Sequence, residues 1–194
     1  MSETLKRLTQ AFIGESQARN RYTFYADIAE KEGFIQISQI FKATADNERE
    51  HAEAFFDMIK DVRKKTGFKG EEQTVDAIAP YTLGITMDNL GAAIKGEMYE
   101  NGTMYPDIAN VADKEGYREI AARVRAIARV EGHHAERYQK LLKEVTAGTV
   151  FKKDKEVEWV CQNCGYVHKG KEPPAQCPSC HHVRGWFAVK CETY

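Results

Sequence analysis

A chain of 194 residues is long enough for one full domain and a small appendage. Its 28 basic and 29 acidic residues leave a net charge of −1 with no basic run, so nothing in it matches a nucleic-acid or anionic-membrane binder. No apolar stretch approaches bilayer length and MSETLKRLTQ lacks the apolar run of a secretory signal, so a soluble, cytoplasmic protein is expected.

Composition changes near residue 147. Before it, Ala, Glu, Lys, Arg and Leu dominate; after it come short runs of Gly, Pro, Cys, Val and Trp. The expected organisation is a helical domain over 1–147, a linker over 148–156 and a small domain over 157–194. Alternating steps of three and four residues trace the core-facing seam of four helices. The first carries Leu5, Leu8, Phe12, Glu15, Arg19, Tyr22, Ala26 and Ala29. The second carries Ile37, Phe41, Thr44, Glu48, His51, Phe55, Met58 and Val62. In the third are Met87, Leu90, Ile94, Glu97, Asn101, Met104, Ile108 and Val111. In the fourth are Ile120, Val124, Ile127, Glu131, His134, Tyr138, Leu141 and Val145. Gly33, Gly67, Gly116 and Gly148 stand where the helices should stop. Short turns make helices one and two, and three and four, antiparallel pairs. The irregular stretch from Thr66 to Ile85, about twenty residues, is long for a loop in a compact domain and suits the single crossover of a ferritin-like bundle.

Every seam is apolar toward its ends and ionisable in the middle. Glu15, Glu48, His51, Glu97, Glu131 and His134 fall at matching depth, whereas Glu30, Glu32, Glu50 and Glu53 read as solvated face residues. Carboxylates and imidazoles in an apolar seam are costly unless a cation holds them. Two Glu-x-x-His motifs, Glu48–His51 and Glu131–His134, with glutamates on the partner helices, form the donor set of a di-metal carboxylate site. Many carboxylates with few imidazoles suit iron or manganese better than zinc or copper. Without metal the carboxylates should repel one another, raise their pKa values and weaken the fold.

An internal repeat supports this placement. Ala29-Glu30-Lys31-Glu32-Gly33-Phe34 matches Ala112-Asp113-Lys114-Glu115-Gly116-Tyr117. Glu48, His51 and Tyr22 match Glu131, His134 and Tyr105 at the same spacing, but Gly14-Glu15 matches Gly96-Glu97 at one residue less. Helix three therefore holds one extra residue, which a π-bulge near Glu100 absorbs. That bulge should turn Glu100 inward beside Glu97.

All five cysteines follow residue 160, and Cys161-x-x-Cys164 with Cys177-x-x-Cys180 form a four-thiolate metal site. Zinc and iron both accept it. Attachment to a redox-capable bundle, and the run Cys-x-x-Cys-Gly-Tyr with Pro178 in the second pair, favour iron and a rubredoxin-like domain. Cys191 reads as a small residue of a terminal strand, and His168, His181 and His182 as surface residues. His133 points away from the seam.

With Gly14-Glu15-Ser16-Gln17-Ala18-Arg19-Asn20-Arg21-Tyr22, Gly96-Glu97-x-x-Glu100, Met104-Tyr105-Pro106, both Glu-x-x-His motifs and both cysteine pairs, nearly the whole chain resembles the rubrerythrins. His181 departs from the glycine that rubredoxins usually carry after the fourth cysteine. The resemblance implies an all-α ferritin-like four-helix bundle with one long crossover, a rubredoxin-like C-terminal domain, and reduction of hydrogen peroxide to water in oxidative-stress protection. It implies two non-haem irons in the bundle and one iron on the four cysteines, with zinc there if a foreign host mis-metallates it. By resemblance Glu48 and Glu131 bridge the irons, Glu15 and Glu97 bind one each, and His134 stays on the second. The first iron alternates between Glu100 when oxidised and His51 when reduced, while Tyr22 and Tyr105 orient carboxylates. Electrons are expected from a separate NAD(P)H-linked reductase or a rubredoxin, since no Gly-x-Gly-x-x-Gly run is present. Helix length together with the resemblance implies a head-to-tail homodimer. The competing readings are a ferroxidase or iron-handling ferritin relative, and a zinc-ribbon binding module on a structural bundle.

Overall fold

The structure, a computed structural model, describes residues 2–193. Met1 and Tyr194, the outer ends of the two expected domains, lie outside the described residues. Helix α1 spans Glu3–Lys31 and α2 Ile35–Thr66. Helix α3 spans Thr86–Tyr99 and runs through a π turn, Glu100–Met104, into α4, Tyr105–Lys114; α5 spans Arg118–Ala147. The crossover between α2 and α3 has no regular structure. The extra residue of the third helix lies in the π turn, as its spacing predicts. Upstream of it Thr4, Leu8, Ala11 and Glu15 match Thr86, Leu90, Ala93 and Glu97; downstream Tyr22, Ala26 and Ala29 match Tyr105, Ala109 and Ala112, and all fourteen are buried. Among the described residues, no helix is long and apolar enough to cross a membrane.

The turn α1–α2 and the turn α4–α5 are built alike. Gly33 (φ 84°) and Gly116 (φ 81°) take the left-handed conformation that only glycine enters without cost. The next amide reaches back five residues, Phe34 to the Ala29 carbonyl and Tyr117 to that of Ala112, both at 2.8 Å. Glu32 and Glu115, one residue earlier in each turn, cap the opposite half. Glu115 accepts from Ser2 Oγ (2.6 Å), Glu3 N (2.9 Å) and Thr4 N (3.1 Å) at the start of α1. Glu32 accepts from Thr86 N at the start of α3. The reading of Glu32 as merely solvated is thereby corrected: a carboxylate at a helix N-terminus binds otherwise unpaired N–H groups.

Burial favours the charged form least, yet the donors from Ser2, Glu3 and Thr4 hold the Glu115 carboxyl down at about 2. A depressed carboxyl adds stability above its unfolded pKa, near 4.5, and loses it as pH falls toward 2. Glu115→Gln should therefore cost about 0.5–1 kcal/mol at neutral pH, roughly 1–4 °C in melting temperature, and the difference should shrink on acidification. Thermal melts at pH 7 and pH 3 check this.

The seam holds on α2 and α5 and slips elsewhere. Arg19 is exposed while Ala18 is buried, Ala11 is more buried than Phe12, and Met87 and Asn101 are exposed. A strict seven-residue period drifts against 3.6 residues per turn, and small alanines let the helices approach closely. At Asn101 the π turn has already rotated the helix.

After α5 the chain turns through Thr149–Phe151 and forms a three-stranded antiparallel sheet, ordered β2-β1-β3, from β1 (Val157–Cys161), β2 (Val167–Gly170) and β3 (Phe187–Val189). Trp159, Cys161, Cys177 and Phe187 are its core. Cys191 follows β3 and is exposed, so it belongs to no strand. This unit rests on the α1–α2 turn. Phe151 stacks on Phe34 (6.1 Å, 4°), and a Cβ at Gly185 would run into the Gly33 carbonyl.

Candidate metal centres

The bundle core divides into two apolar clusters, one around Phe55 and Tyr105 and one around Phe41 and Tyr138. Between them lies a buried polar layer: Glu15, Glu48, Glu97, Glu131 and His134, with His51 almost as buried. Two donor sets form. Glu15, Glu48, His51 and Glu131 place ligand atoms within 4.8 Å of one another, and so do Glu48, Glu97, Glu131 and His134. Glu48 and Glu131 belong to both sets.

The imidazoles show which atoms converge. His51 Nδ1 lies 3.0 Å from Glu48 Oε2, 2.9 Å from Glu131 Oε1 and 3.8 Å from Glu15 Oε1. His134 Nδ1 lies 3.3 Å from Glu48 Oε1, 3.0 Å from Glu131 Oε2 and 3.5 Å from Glu97 Oε2. Glu15 Oε2, Glu48 Oε1, Glu97 Oε2, both Glu131 oxygens and His134 Nδ1 are buried without hydrogen-bond partners. Buried polar atoms normally find partners. Six orphans aimed at one space are what a pair of cations satisfies, so the residues fit two metal ions.

The metal-free electrostatics agree, with one correction. Burial, reinforced by the Glu48 charge, pushes Glu15 well up, and burial with Glu48 and Glu131 pushes Glu97 up to about 8 against the pull of His134. Glu48 goes the other way. Burial would raise it, but His134 and His51 together outweigh that and hold it at about 2. The expectation of raised carboxylates fails at Glu48 because hydrogen bonds and charge from both imidazoles outweigh its burial. Burial lowers the imidazoles, yet Glu131 and Glu48 raise His51 to about 9 and His134 to about 11.

The tyrosines cross between the halves. Tyr22 on α1 donates to Glu97 on α3 at 2.5 Å, and Tyr105 on α4 donates to Glu15 on α1. Burial pushes both phenols well up, so each keeps its proton and stays a donor. On the fourth seam, Tyr138 is fully buried. It packs edge-on against Tyr22 (5.7 Å), at the place where Phe55 packs at a tilt against Tyr105 (5.3 Å) in the repeat. The replacement of phenylalanine by tyrosine across the repeat was the available signal.

Glu100 opens the π turn and replaces Ala18 of the first half. It is half-buried and outside both donor sets. Burial, then the charges of Glu97, Glu131 and Glu48, push its carboxyl well up, so it lies near the layer without joining it. His133 is exposed.

In the C-terminal unit the Sγ atoms of Cys161 and Cys180, and of Cys164 and Cys177, are 3.7 Å apart. A disulfide needs about 2.05 Å. A metal bound tetrahedrally at about 2.3 Å from sulfur sets its ligands about 3.8 Å apart, which these thiols match. The amide of His182 donates to Cys180 and holds its thiol at about 5, while burial pushes Cys161 up to about 11. His181 has φ 62°, the counterpart of Gly165 at 79° in the first cysteine loop, so the departure from glycine leaves the loop geometry intact. Left-handed φ is costly for a residue with a Cβ. His181→Gly should stabilise this unit by about 0.5–1 kcal/mol, seen as slower loss of the tetrathiolate colour on heating. His168 and His182 are half-buried and His181 is exposed, and none joins a metal-binding group.

A bundle with one crossover, a carboxylate layer shared by two histidines, and an appended four-thiolate unit define a ferritin-like di-iron protein with a rubredoxin-like domain. A family model for rubrerythrin matches residues 6–142, and one for the rubredoxin-like domain of rubrerythrin matches 159–188. The chain is 57% identical over 195 residues to a putative rubrerythrin of Methanocaldococcus jannaschii, covering 100% of this chain and 96% of that one. It is 44% identical to the rubrerythrin of Clostridium perfringens, covering 100% and 97%. Among solved structures it is similar to the fully reduced, all-ferrous nigerythrin, with a TM-score of 0.63, 30% identity, and coverage of 98% and 88%. The chain belongs to the rubrerythrin family, whose members are di-iron oxidoreductases, and iron is the metal of both its sites.

Proposed function

We propose that this protein reduces hydrogen peroxide to water, taking electrons through its four-cysteine iron. The observation that carries this reading is the joining of two redox-capable donor sets in one chain. Storage of iron needs no electron-transfer unit, and a purely structural bundle needs no buried carboxylate layer. Glu48 and Glu131 are proposed to bridge the two irons, because each faces both imidazoles. Glu15 and His51 complete one position, Glu97 and His134 the other. Glu100 would be an alternative ligand to His51, since hard carboxylate suits ferric iron and imidazole suits ferrous. Two ferrous irons held by these residues would supply the two electrons that, with two protons, convert one peroxide to two waters.

The chain's own residues set the conditions. Tyr22 and Tyr105 hold their protons at Oη and fix the rotamers of Glu97 and Glu15 by hydrogen bonds. The apolar clusters above and below the layer limit water and strengthen each charge interaction. The C-terminal unit rests at the start of α2, while Glu48 is thirteen residues further on, about 20 Å at 1.5 Å per residue. That distance supports a head-to-tail homodimer in which a partner's cysteine site serves each bundle. Ile78, Tyr81, Leu83 and Ile85 along the crossover are exposed, Tyr81 at 93%, and supply an apolar strip for such a face. The electrons are proposed to come from a separate NAD(P)H-linked reductase or a rubredoxin.

The test is anaerobic. The protein is fully reduced, hydrogen peroxide is added in steps, and the visible absorbance of the tetrathiolate iron is followed. Rapid reoxidation with two electrons consumed per peroxide is expected. Slow or absent reoxidation at full iron content would replace this reading with a ferroxidase-like role.

A further inference from the structure

A cavity of about 210 Å³ lies between α1, the α3–π–α4 helix and the crossover. Glu100 lines it together with the residues directly before Glu15 and Glu97, so the cavity lies against the backbone that carries the metal layer. Asp76, Ala77, Ile78 and Pro80 of the crossover also line it. Gln10 on α1 donates to the Asp76 carbonyl at 2.9 Å and ties this segment down.

Two helix-interior glycines line the same cavity, Gly14 and Gly96. They are repeat mates, each immediately before a proposed ligand, Glu15 and Glu97. Glycine inside a helix is destabilising relative to almost any other residue. Close packing often explains it: a Cβ at Gly132 would lie 3.2 Å from the Asn101 amide. At Gly14 and Gly96 an added Cβ would meet nothing within 4 Å. What these glycines supply is open volume, at matching depth on both helices.

We propose that this cavity is the entry path of the small oxidant to the bundle site, held open by Gly14 and Gly96 and roofed by the crossover. The identity of the oxidant rests on the peroxide reading; the path does not. At about 30 Å³ per water the cavity holds about seven waters, ample for peroxide or a small anion.

The test uses the iron-loaded full chain with Gly14→Leu and, separately, Gly96→Leu. Azide is mixed with the oxidised protein, and its arrival at the ferric site is followed by stopped-flow absorbance alongside its equilibrium affinity. The path predicts arrival slowed about tenfold or more with affinity unchanged, because filling a channel raises the barrier to entry and exit alike. It also predicts melting temperatures raised by about 2–4 °C, since leucine is the better helix former. Unchanged arrival rates in both variants overturn the proposal. Weakened affinity with a lowered melting temperature in both also overturns it, by showing that the glycines serve the ligand geometry. Wild-type protein that takes up azide faster than the variants, yet leaves peroxide unreduced, would sink the peroxide reading while the path stands.

Discussion

Removing iron from the bundle is expected to lower the melting temperature by roughly 8–16 °C. A ligand that binds only the folded state at a thousandfold its Kd stabilises by about 4 kcal/mol, and each kcal/mol is worth about 2–4 °C in a chain of this size. The six orphaned donor atoms locate that effect in the carboxylate layer. Calorimetry of the holo and metal-stripped protein checks it. Equal melting temperatures would show that the layer is satisfied without cations.

The metal-stripped form should also respond to pH in a direction the holo form does not. Its Glu97 carboxyl is raised to about 8 from 4.5, so the folded state holds that proton longer, and stability declines as pH rises through that interval. His51 is raised to about 9 from 6.5, so its contribution is complete below 6.5 and is lost as pH rises through 9. Both act in one direction: the stripped protein should melt higher at pH 6 than at pH 9. Glu48, at about 2, changes nothing in that window.

The second large effect is expected from Cys177→Ser. Cys177 is fully buried beside Trp159 and Phe187, and its thiol faces Cys164. Serine removes one of four thiolates from a site whose affinity for iron rests on soft sulfur. Loss of an outer partner of a metal ligand costs about 10–100-fold, and loss of a ligand more, so reductase-coupled peroxide turnover should fall by at least about 100-fold. A chemically prereduced variant should still consume peroxide once, because the bundle layer is untouched. Iron analysis, the red absorbance and a single-turnover assay separate the outcomes. Undiminished coupled turnover would mean that electrons enter the bundle by another route.

Much of this was readable in the chain because both donor patterns are periodic. Glu-x-x-His recurs at a fixed spacing and Cys-x-x-Cys recurs in the tail, so ligand identity follows from local order. The one-residue mismatch between Gly14-Glu15 and Gly96-Glu97 was enough to place a π turn at Glu100. The seam on α1 was less legible. Arg19 and Ala18 are neighbours, and which of them faces the core depends on how closely α1 and α2 approach. Glu32 and Glu115 carry no sign that they cap helices in the other half, since that pairing spans the bundle.

By itself the sequence determined the elements, the ligand types and their depth, because helical periodicity and short-range spacing are local properties. The tertiary structure alone decided which donors converge, because convergence requires four separate helices to meet. It set Glu48 and Glu131 between the two imidazoles, crossed Tyr22 and Tyr105 between the halves, and left Glu100 outside both donor sets. It also turned Gly14 and Gly96, which look like weak points in two helices, into the walls of one cavity. That space exists only where helices from both halves and the crossover enclose it.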